Sequence, residues 1–402
     1  MKKFLAVCLL GCSSLYAQIP APTQLPGHPF FIKKTWTIGG LGNWDYLTVD
    51  PKAGQLFIAH GTVVQVVDVT TGALAGQVTG LREAHAIVLD DNGEFGYISD
   101  GLADSVKVFD RRTLQVVASI PTGPTPRSLA LEPQSGLLFV MCTESSTAES
   151  TPPATPNRPN ARRNPPTPPR HPARNVELRT SMTVIDVQAR QTLATILMPG
   201  RLGFAQPGGS GEIFVNIVNH DAIARLDAVA IGSLLRGQTS ETPSSDWTRG
   251  THSQMRMFSL GGGCAEPGSL AVDSHHQRLF ASCANMKLAV VNALTGELVT
   301  TVPTGPGTDS VGFDSDHGLI YAANGGANGS LTIIRQDVTD TYAVIQNLPT
   351  RQRARTLAVN PASGEVYLVT DLLGVNLAEA GGIGTLRTAP VTGSFQVLVV
   401  EN

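Results

Sequence analysis

Charged residues are scarce in this sequence of 402 residues, since Asp, Glu, Lys and Arg together make up only 15% of it. Aromatic residues are also few, at 5%, and the formal net charge at pH 7 is −3. The shortage of charge argues against long, charged surface helices. A net charge near zero gives no electrostatic reason to expect nucleic acid or an acidic membrane surface as a partner. We therefore predict no nucleic-acid partner.

Long apolar runs are also missing, because no segment after the first residues approaches the roughly 20 residues that a membrane-spanning helix needs. Residues 1–17 instead have the pattern of a signal peptide, with Lys2 and Lys3 before an apolar core and small residues before Ala17. A second interpretation stays open, in which Cys12 ends a lipobox and becomes a lipid anchor. Both predict an exported protein, periplasmic or extracellular, in which residues 18–30 form a linker.

Cysteines are few, and removal of residues 1–17 would leave only Cys142, Cys264 and Cys283. Export permits a disulfide, but an odd number leaves at least one thiol without an intramolecular partner. The spacing of His and Cys residues is not typical of a zinc site, and no haem-attachment motif or Gly-x-Ser-x-Gly elbow is present. The sequence therefore predicts no metal and leaves the cofactor unknown.

Glycine and proline are abundant by contrast, at 41 and 27 residues, as expected of many short strands and turns. Seven segments follow one template, in which a short apolar strand ends at an acidic or equivalent residue, a turn follows, and a second apolar strand returns. We call the residues that end the first strands anchors. They are Asp50, Asp90, Glu132, Pro207, Asp273, Asp314 and Asn360.

Consecutive anchors lie 40, 42, 75, 66, 41 and 46 residues apart, and four of these spacings match the period of about 40–50 residues of a propeller blade. The two long spacings contain insertions. Residues 144–179 include nine prolines and six arginines, a composition that predicts disorder. A cationic tether for polyanions is the alternative for this segment. Residues 232–254 form the second, polar insertion.

Each repeat also has a third alternating strand, and six repeats have a fourth. The seventh repeat has no fourth strand because the chain stops at Asn402, but residues 31–40 read as an outer strand at the other end. Pairing this N-terminal strand with the C-terminal blade would close the ring and remove its open edge. The sequence predicts an all-β fold over residues 31–402, a single seven-bladed propeller of four-stranded antiparallel blades, and we expect a monomer.

The repeats resemble those of the YVTN-repeat, YncE-like family of exported bacterial propellers. The segments that carry the resemblance are Asp45–Asp50, Gly96–Gly101 and Gly393–Val399. The resemblance implies a seven-bladed fold but little about function, because most members have no assigned role and one is described as a binder of single-stranded DNA. More distant propellers with similar repeats support electron-transfer enzymes or hydrolyse sugar lactones.

The template also locates a candidate site at one mouth of the central channel, where the loops before the first strands and after the second strands meet. Five residues before each anchor, at the start of the first strand, strand alternation places a side chain at the end of the apolar stripe. These residues are Asp45, His85, Arg127, Leu202, Gly268, Asp309 and Arg355. The flanking loops and second-strand ends add His60, Glu266 and Asn324 as candidate ligand-binding residues.

These side chains suggest two interpretations. In the functional one, Arg127 and Arg355 hold a carboxylate, phosphate or other small anion. His85, oriented by Asp45 or Asp309, is then the candidate catalytic residue that moves a proton. In the structural one, the charges neutralise each other in salt bridges that plug the channel.

The same register predicts a disulfide. Asp273 and Arg278 flank a hairpin turn, so Cys264 and Cys283 fall within a few residues of opposite positions, in a loop that can bend. Cys142 is then the free thiol, either a buried small hydrophobic residue or a reactive thiolate.

Three functional hypotheses remain. The first is a binding module that presents the channel mouth to a small anionic ligand or an envelope protein. The second is a hydrolase of the lactonase or esterase type with His85 as base and the arginines on the developing oxyanion. The third is a structural component of the envelope.

Overall fold

The seven repeats fold into seven separate four-stranded antiparallel sheets, the blades of a propeller. The computed structural model describes residues 29–40, 42–143, 180–237, 252–337, 340–375 and 388–402. The predicted signal peptide with Cys12, most of the linker 18–30, the insertion 144–179 and most of the insertion 232–254 lie outside these residues. Their boundaries therefore stay predictions.

The chain begins with β1 (Phe31–Thr37), which belongs to the last blade. Blade 1 follows as β2 (Trp44–Asp50), β3 (Gln55–His60), β4 (Val63–Asp68) and β5 (Leu74–Val78). Blade 2 consists of β6 (Ala84–Leu89), β7 (Phe95–Asp100), β8 (Ser105–Asp110) and β9 (Val116–Pro121). Blade 3 consists of β10 (Pro126–Glu132), β11 (Leu137–Thr143), β12 (Thr180–Asp186) and β13 (Gln191–Met198).

Blade 4 consists of β14 (Leu202–Pro207), β15 (Glu212–Ile217), β16 (Ala222–Asp227) and β17 (Met255–Ser259). Blade 5 consists of β18 (Leu270–Asp273), β19 (Arg278–Cys283), β20 (Lys287–Asn292) and β21 (Leu298–Pro303). Blade 6 consists of β22 (Thr308–Asp314), β23 (Leu319–Asn324), β24 (Ser330–Gln336) and β25 (Tyr342–Pro349). Blade 7 combines β26 (Thr356–Val359), β27 (Val366–Thr370) and, after the ribbon β28 (Leu373–Val375) and β29 (Thr388–Pro390), β30 (Gln396–Glu401) with β1.

The predicted closure of the ring is confirmed. Strand β1 pairs antiparallel with β30, with Trp36 opposite Val397, so the two ends of the chain share one blade. The Trp36 side chain is buried and its ring stacks on that of Tyr367 at 5.8 Å between centroids. This contact anchors an otherwise exposed outer strand, because most other residues of β1 face solvent.

Hydrogen bonds in the turn explain why most anchors at the end of the first strand are acidic. The carboxylate of Asp50 accepts hydrogen bonds from the backbone N–H groups of Lys52 and Ala53, both at 3.1 Å. Such turns pair a short polar side chain with backbone donors two and three residues on. The same arrangement occurs at Glu132, Asp273 and Asp314.

Two elements have no counterpart in the repeat template. One is the ribbon β28–β29, and the other is helix α1 (Ala228–Arg236), which covers the first residues of the predicted polar insertion. Asp227 caps the helix by accepting a hydrogen bond from the Ala230 N–H at 2.8 Å. At its other end Arg236 Nε donates to Asp186 at 2.8 Å. Short 3-10 turns follow β7 at Gly101–Ala103 and β15 at Val218–His220.

Apolar side chains fill the spaces between neighbouring blades. Phe57 of blade 1, for example, packs against Phe109 of blade 2 with ring centroids 5.8 Å apart, and both are fully buried. The first strands of neighbouring blades, which line the channel, are linked by hydroxyl groups: Thr48 Oγ1 donates to the Ile87 carbonyl at 2.6 Å. Among the described residues, no helix is long and apolar enough to cross a membrane.

Candidate functional site

A β-bulge at the start of the first strand positions the candidate residues. The pairing register shifts between Trp44 and Leu47 in blade 1, and equivalent shifts fall on the segments 84–87, 126–129, 202–205 and 308–310. A bulge bends the strand and turns a side chain away from the regular alternation. The strict alternation expected from the sequence is therefore interrupted at these positions. We call this end of the channel the upper mouth, and the end at the anchors the lower mouth.

His85 is enclosed by carboxylates. Its Nδ1 lies 2.8 Å from Asp45 Oδ2, and its Nε2 lies 3.3 Å from Glu83 Oε2. The His85 side chain is only 6% exposed. On the remaining side the ring abuts Gly101, where an added Cβ would lie 2.6 Å from Nε2. The expected His85–Asp45 pair is present, but neither ring nitrogen is open to the channel.

Asp309 and Arg355 form an ion pair at the upper mouth, with Arg355 Nε 3.3 Å from Asp309 Oδ2. Both side chains are about half exposed, because solvent reaches them through the mouth. Desolvation by the surrounding strands raises the pKa of Asp309, Arg355 opposes the rise, and the nearby Asp45 carboxylate adds to it. Of the two arginines expected to bind an anion, Arg355 is thus already paired.

Tyr46 is a central residue that the sequence analysis missed. Its hydroxyl lies within electrostatic range of Asp45, Asp309, Arg355 and Arg127, which places it among the charges of the upper mouth. Burial, assisted by the two carboxylates, raises the pKa of this hydroxyl well above its usual value, so it stays a hydrogen-bond donor. The Tyr46 ring packs against that of Phe204 in blade 4 at 4.6 Å between centroids.

A cavity of about 470 Å³ opens at the upper mouth beside these groups. Its polar lining includes Arg127, Arg201, Glu266 and Asp309, and Leu202 contributes an apolar wall. Arg201 lies 3.4 Å from Glu266, so these two rim charges are paired. Arg127, in contrast, is exposed to the cavity and makes no ion pair with any described residue.

Two predicted site residues lie away from the cavity. His60 is buried inside blade 1, where Nδ1 lies 2.9 Å from Gln65 Oε1 and the ring packs on Phe395. Asn324 is buried in blade 6, where it donates to Ser330 and Thr332 at 3.0 and 2.9 Å. The structure therefore brings Asp45, His85, Arg127, Asp309, Arg355 and, at the rim, Glu266 together, and places the other two within the blades.

The predicted disulfide is confirmed. Cys264 and Cys283 are bonded, with Cα atoms 5.1 Å apart. The bridge fixes the segment between blades 4 and 5, which carries Glu266 and Gly268 to the cavity. Cys142 is a free, fully buried thiol, and burial raises its pKa to about 11. The thiolate is therefore disfavoured, in agreement with the interpretation of Cys142 as a small buried hydrophobic residue.

The lining of the cavity combines apolar residues such as Leu202 and Val218 with charged groups and threonines. Across the described ranges, no group of three or more His, Cys, Asp or Glu side chains is arranged to hold a metal ion. The lining offers one guanidinium without an ion pair among the described residues and paired charges beside it, and the Tyr46 hydroxyl lies within electrostatic range of these charges. This arrangement suits recognition of an anion.

Comparison with known proteins supports the propeller architecture. A family model described as a lactonase with a seven-bladed β-propeller matches residues 37–151. This segment spans blades 1 and 2 and the first half of blade 3, and it contains Asp45, His85 and Arg127. Together with the seven blades observed, the match supports a seven-bladed propeller family. No curated protein matches the chain.

Solved structures with similar folds share little sequence with the chain. The structure of U3-55K aligns with a TM-score of 0.63 at 8% identity, over 92% of this chain and 98% of that one. The WD40 repeats of RRP9 align with a TM-score of 0.63 at 9% identity, over 96% and 100%. A chain of the mitotic checkpoint complex aligns with a TM-score of 0.63 at 11% identity, over 99% of both chains. Identities this low show the fold alone.

Proposed function

We propose that the protein is an exported binding module that holds a small anionic ligand in the cavity at the upper mouth. The observation that carries the proposal is the position of Arg127, which lines this cavity of about 470 Å³ without an ion pair among the described residues. The cavity has the size of a small-molecule site, for which about 300–1,000 Å³ is typical. We also propose that the protein belongs to the YncE-like family, which its repeats resemble.

The charges around the cavity favour a ligand with one carboxylate, phosphate or sulfonate group. Arg201 is occupied by Glu266 and Arg355 by Asp309, so only Arg127 is left to a ligand. A guanidinium binds such groups through two parallel hydrogen bonds. The Tyr46 hydroxyl lies within electrostatic range of Arg127 and Asp309, so we expect it to donate a hydrogen bond to the same ligand group.

Export is supported by the signal-like N-terminus and by the disulfide, since disulfides persist in oxidising compartments. A periplasmic or extracellular location fits a soluble ligand or an envelope protein that presents an acidic side chain. In the second case the rim residues Arg201 and Glu266, both exposed, would be part of the contact.

Lactone hydrolysis is the second candidate, because the lactonase family model covers the segment with Asp45, His85 and Arg127. The enclosure of His85 argues against it, since a general base must come within hydrogen-bond distance of the proton it removes. With Nδ1 on Asp45 and Nε2 against Glu83 and Gly101, the ring would have to rotate before it met a substrate in the cavity. We therefore favour binding over hydrolysis.

Calorimetric titration with methanesulfonate, phosphate and succinate tests the proposal. At least one of these anions should bind with a stoichiometry near one. Arg127→Ala should lower the affinity for that anion about ten- to hundredfold, because a hydrogen bond to a charged group contributes about 1.5–3 kcal/mol. Arg112→Ala is the matched control, because Arg112 is exposed in the turn after β8, near the lower mouth. Equal affinity in both variants, or no binding of any anion, would contradict the proposal.

The hydrolase alternative has its own test. Turnover of δ-gluconolactone or γ-butyrolactone, with a bell-shaped pH profile that disappears in His85→Ala, would favour the enzyme. Saturable binding without turnover favours the binding module.

A further inference from the structure

We infer that the lower half of the channel is a second ligand site, one that takes an uncharged, mostly apolar small molecule. This inference does not depend on the proposed function of the upper mouth. It starts from a cavity of about 800 Å³ that is lined by the paired rings of Tyr46 and Phe204 and extends to the anchors Asp50 and Asp90. The walls come from the first strands of blades 1 to 4, namely β2, β6, β10 and β14.

Several apolar side chains of the walls pack against the core on one side and face the cavity on the other. Val49, Val88, Leu131 and Phe204 line this cavity and are only partly buried, each at the edge of the core between blades. The second strands of the same blades, one strand further out, have fully buried apolar side chains such as Phe57. Apolar surface that faces a cavity loses the contacts it would make in a packed core. A ligand with apolar faces would restore these contacts.

The rim of the lower mouth gives no reason to expect an anion. Its charged residues are Asp50, Asp90, Asp91, Lys52 and Arg111, three carboxylates against two cations. Arg111 is held by Asp50 and by Asp90, which lies 3.4 Å away. Lys52 is exposed at the same rim, but the three carboxylates outnumber the two cations, so the formal charge of the lower rim is negative.

One polar group in the wall suggests how such a ligand would be oriented. The side-chain amide of Gln206 lines the cavity and makes no hydrogen bond with any described residue. An amide offers both a donor and an acceptor, so a carbonyl, hydroxyl or amine on the ligand would find a partner there. Binding sites of this kind combine mostly apolar walls with a few polar groups that fix orientation.

Fluorescence titration with N-phenyl-1-naphthylamine, an uncharged apolar probe, tests the inference. We expect saturable binding, weakened at least tenfold in Val88→Trp and in Leu131→Trp, because either indole would fill part of the cavity. The matched control is Val117→Trp, since Val117 is 46% exposed on the outer strand β9. The sulfonated analogue 8-anilinonaphthalene-1-sulfonate should bind this site at least tenfold more weakly. Equal affinity of the two probes would overturn the assignment to uncharged ligands.

A second measurement uses the unaltered protein and does not depend on the folding of any variant. An uncharged naphthyl diazirine, photoactivated at saturation, should label peptides that contain residues 46–53, 86–93, 129–133 or 204–207, because the residues that line the cavity lie mostly in these segments. The inference would be overturned if labelling were confined to outer strands such as β9 or β17. It would also be overturned if the probe showed no saturable binding, or if Val88→Trp and Leu131→Trp both bound it fully.

Discussion

The ring of Tyr46 in blade 1 packs against the ring of Phe204 in blade 4, with centroids 4.6 Å apart and planes inclined by 50°. The two residues come from blades that are not neighbours, so they meet inside the channel, where both rings line the cavity of about 800 Å³. The Tyr46 hydroxyl belongs to the upper side, among the charges.

Tyr46→Phe should separate the two roles of this residue. The ring contact with Phe204 is retained, so the free energy of unfolding should change by less than about 1 kcal/mol, whereas loss of the hydroxyl donor should weaken anion binding about fivefold. Urea denaturation and calorimetry with methanesulfonate measure the two effects. Unchanged anion affinity would show that the hydroxyl does not contact the ligand.

The raised pKa of Asp309 leads us to expect that the affinity for an anion depends on pH. Because its pKa is raised above the ordinary value of 3.8, its carboxylate takes up a proton at a higher pH than an ordinary aspartate does as the pH falls from neutrality. Protonation frees Arg355 and removes a negative charge from the mouth. The affinity for methanesulfonate, whose own charge is constant, should therefore rise as the pH falls, by about fivefold for an exposed charge pair worth up to about 1 kcal/mol.

The matched variant for this prediction is Asp309→Asn, which should bind methanesulfonate more tightly at neutral pH and lose the Asp309 part of the pH dependence. Calorimetry over a pH series in both proteins makes the comparison. An identical slope in the two proteins would assign the pH dependence to other groups.

The Cys264–Cys283 disulfide predicts a stability difference. The two cysteines are 19 residues apart in sequence. A disulfide that closes a loop of this size lowers the entropy of the unfolded chain and so stabilises the folded state by about 3 kcal/mol. Replacement of both cysteines by alanine should lower the free energy of unfolding by about that amount. Cys142→Ala is the control: it removes a buried sulfur from blade 3 and leaves the bridge intact. If the double variant were as stable as the original protein, the bridge would contribute nothing.

The closing strand predicts a second stability difference. Trp36→Ala removes a buried ring that stacks on Tyr367, and such truncations cost about 3–5 kcal/mol. Lys34→Ala, at an exposed position of the same strand, should cost less than about 0.5 kcal/mol. Thermal unfolding followed by circular dichroism compares the two. Equal melting temperatures would mean that β1 adds little to ring closure.

The fold could be predicted from the sequence because each blade repeats the same local rules. An apolar strand, a carboxylate that caps a turn and a returning strand recur at a nearly constant period, so a count of repeats gives the number of blades. Helix α1 and the ribbon β28–β29 could not be found in this way, because they lie in connections that occur only once.

The candidate site could be predicted only in part. Asp45, His85, Arg127, Asp309 and Arg355, each five residues before an anchor, lie at one mouth of the channel, and their role in binding stays a prediction. The β-bulges there are not visible in the sequence, so Tyr46, one residue further along, looked like an ordinary strand residue.

His60 and Asn324 end second strands, which is why the repeat pattern predicts them at the mouth of the channel. A second strand lies one position away from the channel, and the side chains at its end are covered by the same or the next blade, as His60 is by Phe395. Distance from the axis, which the repeat pattern does not encode, separates them from the cavity.

In the proposed function, Arg127 supplies the positive charge that holds an anion at the upper mouth. Anomalous diffraction from crystals soaked in selenate measures this directly, because selenium locates the oxyanion. We predict one peak in the cavity within hydrogen-bond distance of the Arg127 guanidinium, and no peak there in crystals of Arg127→Ala. A cavity without selenate in the original protein, or the same peak in the variant, would show that Arg127 does not hold an anion there.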